Sequence, residues 1–471
     1  MVSHNRGTFT VWISALALTL GIIAFAAQHE GLLFCFQLVA VLAIGVAVVL
    51  TLNTWRDPFN PLCLIIAAGF VRFLLPGALV LSGAELSDEV SAFFNSLKLT
   101  YHDWQWGWAL ALIGLSGVVL GWLLVQGEVA AHPRLRLQLI GNGWAAGIVG
   151  FVIGALALLA FVLSNASIGV ILTGGFRGTV IQAGSGKFFF LAYMLIAGSA
   201  LLSCDLMNKG RGWIALAPVI MAGLLYGVLG GRARAMTPIA AGVLLVWYFN
   251  KDRASWPKLN ISPRYILFLP LMIIGALWLS YVGLLYRGEL GVSAISHAMS
   301  LNQFWQHIQG SIFTDLGQLH ALAGAVAIGP GVLNGDTFYG ALSWPLNSIL
   351  PIPGRSAGVF IVEELAGFGK NQEKWGVNAS LIGDAYLNFG LGGVVIVTLL
   401  LGGLLKHLYR KFRNGNLHGA IYCVSLLSAV QAFWVSIDVW PQALSTVSFM
   451  MFLIWLGSSL LQLRRASRRY S

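Results

Sequence analysis

Apolar runs of about 20 residues recur along the chain and limit its fold more than any other feature of the sequence. A helix needs about 20 apolar residues to cross a bilayer. The chain is 58% hydrophobic and 10% charged, whereas soluble domains carry about 25% charged residues. We therefore predict an all-α polytopic membrane protein with about 12 transmembrane helices. The predicted spans are 10–27, 31–51, 61–82, 104–125, 143–163, 187–206, 213–229, 235–249, 265–285, 380–405, 417–436 and 441–462.

The seventh and eighth predicted spans come from one continuous stretch. Residues 213–249 would form a helix of about 55 Å at 1.5 Å per residue, which is too long for one crossing. We place a turn at "GGRARA", where Gly230 and Gly231 favour a reversal of the chain. At the N-terminus, "AFAA" resembles a signal-peptide cleavage site. We expect the first span to be retained, because a second span follows at once.

The charges predict an orientation. With a cytoplasmic N-terminus, 18 of the 28 Lys and Arg residues fall in inside segments and nine fall outside, with Arg72 left within the third span. The acidic residues show the reverse distribution, with four inside and thirteen outside. This pattern fits the positive-inside rule. It predicts that both termini are cytoplasmic, and it explains the net charge of +11 without nucleic acid as a partner.

We divide the chain into three regions. Residues 1–285 hold spans one to nine with short loops, residues 286–380 form one long periplasmic loop, and residues 381–471 hold the last three spans and a basic cytoplasmic tail. The loop is too apolar for disorder, so we expect short helices that pack on the outer membrane face. Residues 311–329 read as one of them.

Five arginines lie on the outside, where the orientation rule disfavours them, and each has glycine within three residues. Glycine lets a backbone approach a ligand closely, and the planar guanidinium suits phosphate. The set favours a polyanion site at the outer leaflet, with snorkelling to lipid headgroups or ion pairing as the alternative for each member. The five residues are Arg177, Arg232, Arg234, Arg287 and Arg355, and Arg72 joins them as a costly mid-span charge.

Candidate acid–base groups also lie on the outside. His320 lies in the predicted loop helix and has the general base chemistry of histidine, although a lone histidine is more often a packing residue. Asp315 precedes it by five residues, about 140° around a helix, so the two do not share a face. Glu363 belongs to a Glu-Glu pair that could bind arginine instead, and Asp384 at the outer mouth of span ten is a similar case.

The sequence predicts neither a metal site nor a disulfide framework. The four cysteines all fall within apolar runs and read as small core residues. No CxxC or HExxH spacing occurs. We therefore expect no metal and no other cofactor.

The chain resembles the superfamily of O-antigen polymerases (Wzy) and O-antigen ligases. The likeness rests on "GGFRG", "GGRARA", "LYRGE", "FTDLGQLH" and "PGRSAG", together with the long outer loop before the last spans. The resemblance implies a GT-C-type, metal-independent glycosyltransferase of the bacterial inner membrane. Its members take a glycan from undecaprenyl diphosphate at the periplasmic face and join it to a sugar hydroxyl of another lipid-linked repeat unit. A chain-length regulator is a further partner that the resemblance suggests.

The resemblance also implies residue roles. Arginines would bind the diphosphate and stabilise it as it leaves, and one base would deprotonate the acceptor hydroxyl. His320 matches the loop histidine of the ligase branch, while Arg287, Asp315 and Glu363 complete the catalytic candidates.

Two alternatives remain open. A ligase would transfer the glycan to a different acceptor, and the sequence does not separate it from a polymerase. A transporter or flippase for an anionic or lipid-linked solute would need polar groups at mid-depth in the membrane, where the sequence places only Arg72.

Overall fold

The fold comes from a computed structural model that describes part of the chain. The described residues are 2–51, 60–81, 97–126, 143–165, 194–208, 212–228, 304, 318–340, 357–366, 379–414 and 419–434. Regular structure within these ranges is helical throughout and contains no strand. The predicted all-α class is therefore confirmed for this part of the chain.

We number the α-helices of the described ranges along the chain. They are α1 (Val2–Ala27), α2 (Glu30–Thr51), α3 (Pro61–Gly69), α4 (Leu75–Leu81), α5 (Tyr101–Leu124), α6 (Gly143–Asn165), α7 (Met194–Asn208), α8 (Ala217–Val228), α9 (Leu319–Ile328), α10 (Ala357–Ala366), α11 (Ser380–Arg413) and α12 (Gly419–Trp434). A π-helical turn, Phe70–Leu74, joins α3 to α4, and a 3-10 turn, Gly212–Leu216, precedes α8.

Four helical stretches of the described chain are long and apolar enough to cross a membrane. They are Thr10–Ala27, Pro61–Ala78, Tyr101–Leu124 and Ser380–Arg413. Shorter apolar helices match the predicted spans at 31–51, 143–163, 187–206 and 213–229. The predicted spans at 235–249, 265–285 and 441–462 lie outside the described residues, so the number of spans stays a prediction.

The chain divides into two compact units. The first comprises the described residues of 1–134, 309–417 and 428–441, and the second those of 135–308, 418–427 and 442–471. In the second unit, α6 and α7 cross closely at glycines. A methyl group on Gly147 would lie 2.8 Å from the Leu202 side chain. Ser203 Oγ, near the end of α7, donates to the Ala215 carbonyl at 2.6 Å and ties the 3-10 turn to that helix.

Helix α5 is the central element of the first unit. It begins at a capping box in which Thr100 and Asp103 satisfy each other's backbone N–H groups. Seventeen of its 24 residues are buried, because α1, α2, α3, α9 and α11 pack around it. A helix that is apolar on all sides is expected to lie at the centre of a bundle.

Helix α1 is part of this bundle. Phe25 packs edge-on against Trp106 of α5 and Tyr386 of α11, with ring centroids 5.1 and 5.8 Å apart. A methyl group on Gly21 would collide with the ring of Phe36 of α2, at 2.6 Å. The end of α1, the start of α5 and Tyr386 of α11 therefore meet.

The outer face of α11 is apolar and uncovered. Ile396, Leu400 and Leu404 follow one another at one-turn spacing and are all exposed, whereas Val394, Thr398, Leu401 and Leu405 on the other face are buried. A continuous exposed apolar stripe is typical of a surface that faces lipid. The described helices thus indicate a membrane protein.

Candidate functional site

The structure describes three of the predicted site residues. These are Arg72 in the π-helical turn, His320 in the first turn of α9 and Glu363 in α10. Asp384, the further carboxylate candidate, lies in α11. The remaining candidates lie outside the described residues, and their roles stay predictions. They are Arg177, Arg232, Arg234, Arg287, Asp315 and Arg355.

A proline distorts the predicted third span next to Arg72. In a regular helix the Arg72 carbonyl would accept a hydrogen bond from residue 76, but that residue is Pro76 and has no N–H. The chain forms the π-helical turn just before the proline, so the span 61–82 is not one regular helix. Its freed carbonyl accepts a 2.8 Å hydrogen bond from the backbone N–H of Gln318, which is the N-cap of α9.

This hydrogen bond lies near the middle of α5. Gly69 faces Leu115 of α5, and Gly77 faces Trp108. Arg72 falls between these two contacts, and Leu115 and Trp108 bracket the midpoint of α5. Along the axis of α5, at 1.5 Å per residue, the start of α9 therefore lies level with a point about 17 Å from the first residue of α5.

Helix α9 is packed inside the first unit. We expected a surface helix over 311–329; the observed helix begins at Leu319, and its first seven residues are buried. Residues 311–317 lie outside the described ranges. Gly107 of α5 explains the burial, because a methyl group there would lie 2.7 Å from the Ala323 backbone nitrogen. The close backbone approach holds His320, with 4% of its surface exposed, within the bundle.

The first segment of α11 lies beside α9. A methyl group on Gly383 would lie 3.3 Å from the Leu322 side chain, and Ile382 packs over Gly114 of α5. Ser380, Asp384 and Asn388 follow at one-turn spacing, and all three side chains are buried. This polar stripe belongs to a helix whose other buried residues are mostly apolar.

Gly390 separates this segment from the rest of α11. Its φ of 65° and ψ of −160° are not helical, and only glycine adopts such angles readily. The stretch Ser380–Arg413 that covers the predicted span at 380–405 is long and apolar enough to cross a membrane, but it contains a break at Gly390 that the sequence did not predict. Around the break, the carbonyls of Tyr386 and Leu387 accept hydrogen bonds of 3.0 and 2.8 Å from Gly331 and Leu333.

The turn after α9 is fixed to the same segment by side chains. Asn388 Nδ2 donates to Thr337 Oγ1 at 2.6 Å and to the Asp384 carbonyl at 2.6 Å. The ring of Phe338 packs edge-on against that of Phe389, with centroids 5.1 Å apart. Residues 329–340, which follow α9, are thus held against the first segment of α11 by backbone and side-chain contacts.

We call Arg72, Gln318, His320, Ser380 and Asp384 the mid-bundle cluster, because they lie on adjoining turns of three packed elements near the middle of α5. Arg72 is half-buried, and the other four are buried. The starts of α9 and α11 both lie in this cluster, and each helix start carries a partial positive charge. Cluster residues therefore offer a histidine, a carboxylate, an amide and a guanidinium in a largely apolar setting.

Glu363 lies on a different side of α10 from the residues that face α9. Helix α10 faces α9 through Ile361 and Leu365, which contact the position of Gly324. Glu363 follows Ile361 by two residues, which turns its side chain about 200° around the helix. The neighbouring Glu364 is exposed.

Sequence reasoning missed Gln318 and the break at Gly390. Gln318 was visible only as a polar residue before an apolar helix, and its backbone N–H bonds to a carbonyl 246 positions earlier in the chain. The pair Arg72 and Pro76, at i and i+4 within a span, was the available indication that a backbone carbonyl needed a new partner.

Among the described residues, no group of three or more His, Cys, Asp or Glu side chains is arranged to hold a metal ion. Comparisons with known proteins give no match to a family model, to a curated protein or to a solved structure.

Proposed function

We propose that the protein is a metal-independent glycosyltransferase that polymerises undecaprenyl-diphosphate-linked oligosaccharide repeat units. Such units build O-antigen, capsule or exopolysaccharide at the periplasmic face of the bacterial inner membrane. The proposal combines the sequence resemblance with the arrangement of the mid-bundle cluster.

One observation carries the proposal. The 2.8 Å hydrogen bond from the backbone N–H of Gln318 to the backbone carbonyl of Arg72 joins the mid-span turn to the N-cap of the helix that carries the candidate base His320. These residues are remote in sequence and were selected separately as chemical candidates. Charged and titratable groups within membrane helices are costly and usually functional, and π-helical turns are frequent at functional sites.

The proposed reaction consists of one proton transfer and one glycosyl transfer. His320 accepts the proton of an acceptor sugar hydroxyl. The oxygen attacks the anomeric carbon of the donor glycan, and the bond from that carbon to the diphosphate oxygen breaks. Undecaprenyl diphosphate leaves with the bonding electron pair and gains one negative charge, which Arg232, Arg234 and Arg287 stabilise in the proposed mechanism, and His320 then releases its proton to water. No oxidant, metal or nucleotide is needed.

In vitro polymerisation tests the proposal. Purified protein in proteoliposomes is incubated with lipid-linked repeat units extracted from a strain that lacks the gene. We expect a ladder of products that differ by one repeat unit. Unchanged single repeats under conditions in which the protein is folded and inserted would refute the assignment.

A transporter or flippase is the second candidate, and the depth of the cluster favours it. The starts of α9 and α11 lie near the middle of α5, together with a half-buried arginine and buried polar side chains. Broken helices that point their N-terminal ends at a mid-depth site are typical of secondary transporters. Movement of a lipid-linked or anionic solute across proteoliposomes without any new glycosidic bond would support this candidate against the polymerase.

A further inference from the structure

Gln318 has a buried side-chain amide that the fold does not use. Only 1% of the residue is exposed, and neither Oε1 nor Nε2 has a hydrogen-bond partner among the described residues. Its backbone is fully employed, since the N–H bonds to the Arg72 carbonyl and the C=O accepts from Ala321 at 3.2 Å. The two free atoms therefore belong to the side chain alone.

The side chain does not serve as a helix cap. Gln318 occupies the N-cap position of α9, but it makes no side-chain hydrogen bond to the first turn. Burying an amide without hydrogen-bond partners lowers the stability of the folded protein. A leucine or methionine at this position would avoid that cost, so stability does not account for the amide.

The place of this amide relates it to the proposed chemistry. Gln318 lies two residues before His320, and its backbone contacts the π-helical turn that carries Arg72. A ligand group that meets the amide is thus held at the N-cap of α9, next to the helical turn that carries the candidate base.

We propose that the Gln318 amide binds a vicinal pair of hydroxyls on the acceptor sugar and holds the adjoining hydroxyl for deprotonation by His320. This inference rests on the proposed function and names the acceptor-binding residue of the same site. One sugar hydroxyl accepts from Nε2, and its neighbour donates to Oε1.

Because both Oε1 and Nε2 of Gln318 lack a partner, the amide favours a neutral sugar over an anion as its ligand. A phosphate or carboxylate accepts hydrogen bonds only, so it would satisfy Nε2 and leave Oε1 without a donor. A vicinal diol offers both a donor and an acceptor at the spacing of one amide. The neutral sugar edge therefore satisfies the whole side chain.

Three substitutions in the full-length protein test the inference. Gln318→Leu removes both polar atoms at similar size, and Gln318→Glu retains oxygens that accept from two hydroxyls. Gln37→Leu is the matched control, because Gln37 in α2 of the same unit also has a buried Nε2 without a partner. The substrate is the lipid-linked repeat unit from the deletion strain. Readouts are the KM and kcat of polymerisation and the shift in Tm that the repeat unit causes.

We expect Gln318→Leu to keep or raise the Tm of the ligand-free protein while it raises KM about 10- to 100-fold, as the loss of two hydrogen bonds predicts. Gln318→Glu should stay within about threefold of the native KM, since its charge lies at a helix N-terminus and its oxygens still bind the diol. The control Gln37→Leu should leave KM and kcat unchanged.

Several outcomes would overturn the inference. A native KM in Gln318→Leu would show that the amide has no role in binding. A loss in Gln318→Glu as large as that in Gln318→Leu would assign an anionic group instead of a sugar diol. The Tm shift separates this inference from the proposed function. Suppose that the native protein forms no ladder. If the repeat unit still raises the Tm of the native protein and of Gln37→Leu but not that of Gln318→Leu, sugar binding by Gln318 is supported without the polymerase. If the repeat unit does not change the Tm of the native protein either, both the inference and the proposed function are refuted.

Discussion

Gly107→Ala tests whether the close approach of α5 to α9 is what positions His320. The added methyl group would lie 2.7 Å from the Ala323 nitrogen and 3.0 Å from its Cα. Carbon contacts are optimal at about 3.5–4.0 Å. Because both obstacles are backbone atoms, no side chain can rotate away, and α9 must move outward by about 0.8 Å.

Two opposed effects determine the change in the free energy of unfolding, and one further effect determines the change in the polymerisation rate. Overpacking costs about 1–3 kcal/mol, whereas alanine in place of glycine in a helix contributes about 1 kcal/mol of stability. The net loss in the free energy of unfolding is then about 0–2 kcal/mol. A displacement of about 1 Å at a reacting group costs on the order of 100-fold in rate, so we expect polymerisation to fall by about 10- to 100-fold.

Gly45→Ala is the matched control. A methyl group on Gly45 of α2 meets no atom within 4 Å, so the substitution should raise stability by about 0.5–1 kcal/mol and leave the rate unchanged. The assay compares initial rates of ladder formation with thermal unfolding followed by tryptophan fluorescence. A native rate in Gly107→Ala would refute the argument that this contact sets the position of His320.

Three further predictions concern the proposed function. Pro76→Ala restores an N–H that competes with Gln318 for the Arg72 carbonyl. It should keep or raise the Tm and lower the polymerisation rate about tenfold, the equivalent of one hydrogen bond; a native rate would show that the link is dispensable. Alanine at Arg232, Arg234 or Arg287 should abolish polymerisation while membrane insertion persists, as measured by ladder gels and membrane fractionation, and normal ladders from all three would move the diphosphate site elsewhere. His320→Ala should lose activity, whereas His297→Ala and His307→Ala should keep it; activity in His320→Ala would transfer the role of base to Glu363, Glu364 or Asp384.

Within the described residues the positions of the long apolar helices were predictable, because the length and polarity of an apolar run set the length of a span. The predicted run at 104–125 matches α5 at Tyr101–Leu124 within a few residues. The breaks within helices were harder to predict. Pro76 and Gly390 both interrupt apolar stretches, and hydropathy does not register a missing N–H or a positive φ.

The site was predictable only in part. Arg72 and His320 could be selected from the cost of buried charge and from residue chemistry. Their proximity depends on which turn of α9 meets which turn of the third span, and that register is set by Pro76 and Gly107. Gln318 carries no charge and lies in no motif, so only its burial and its unused amide distinguish it.

The decisive measurement for the polymerase assignment is incubation of the purified protein with lipid-linked repeat units, beside the His320→Ala variant. We expect a ladder of repeat-unit polymers from the native protein, without added metal or nucleotide, and only single repeats from the variant. Single repeats from both proteins, with the native protein folded in the bilayer, would contradict the proposed polymerase.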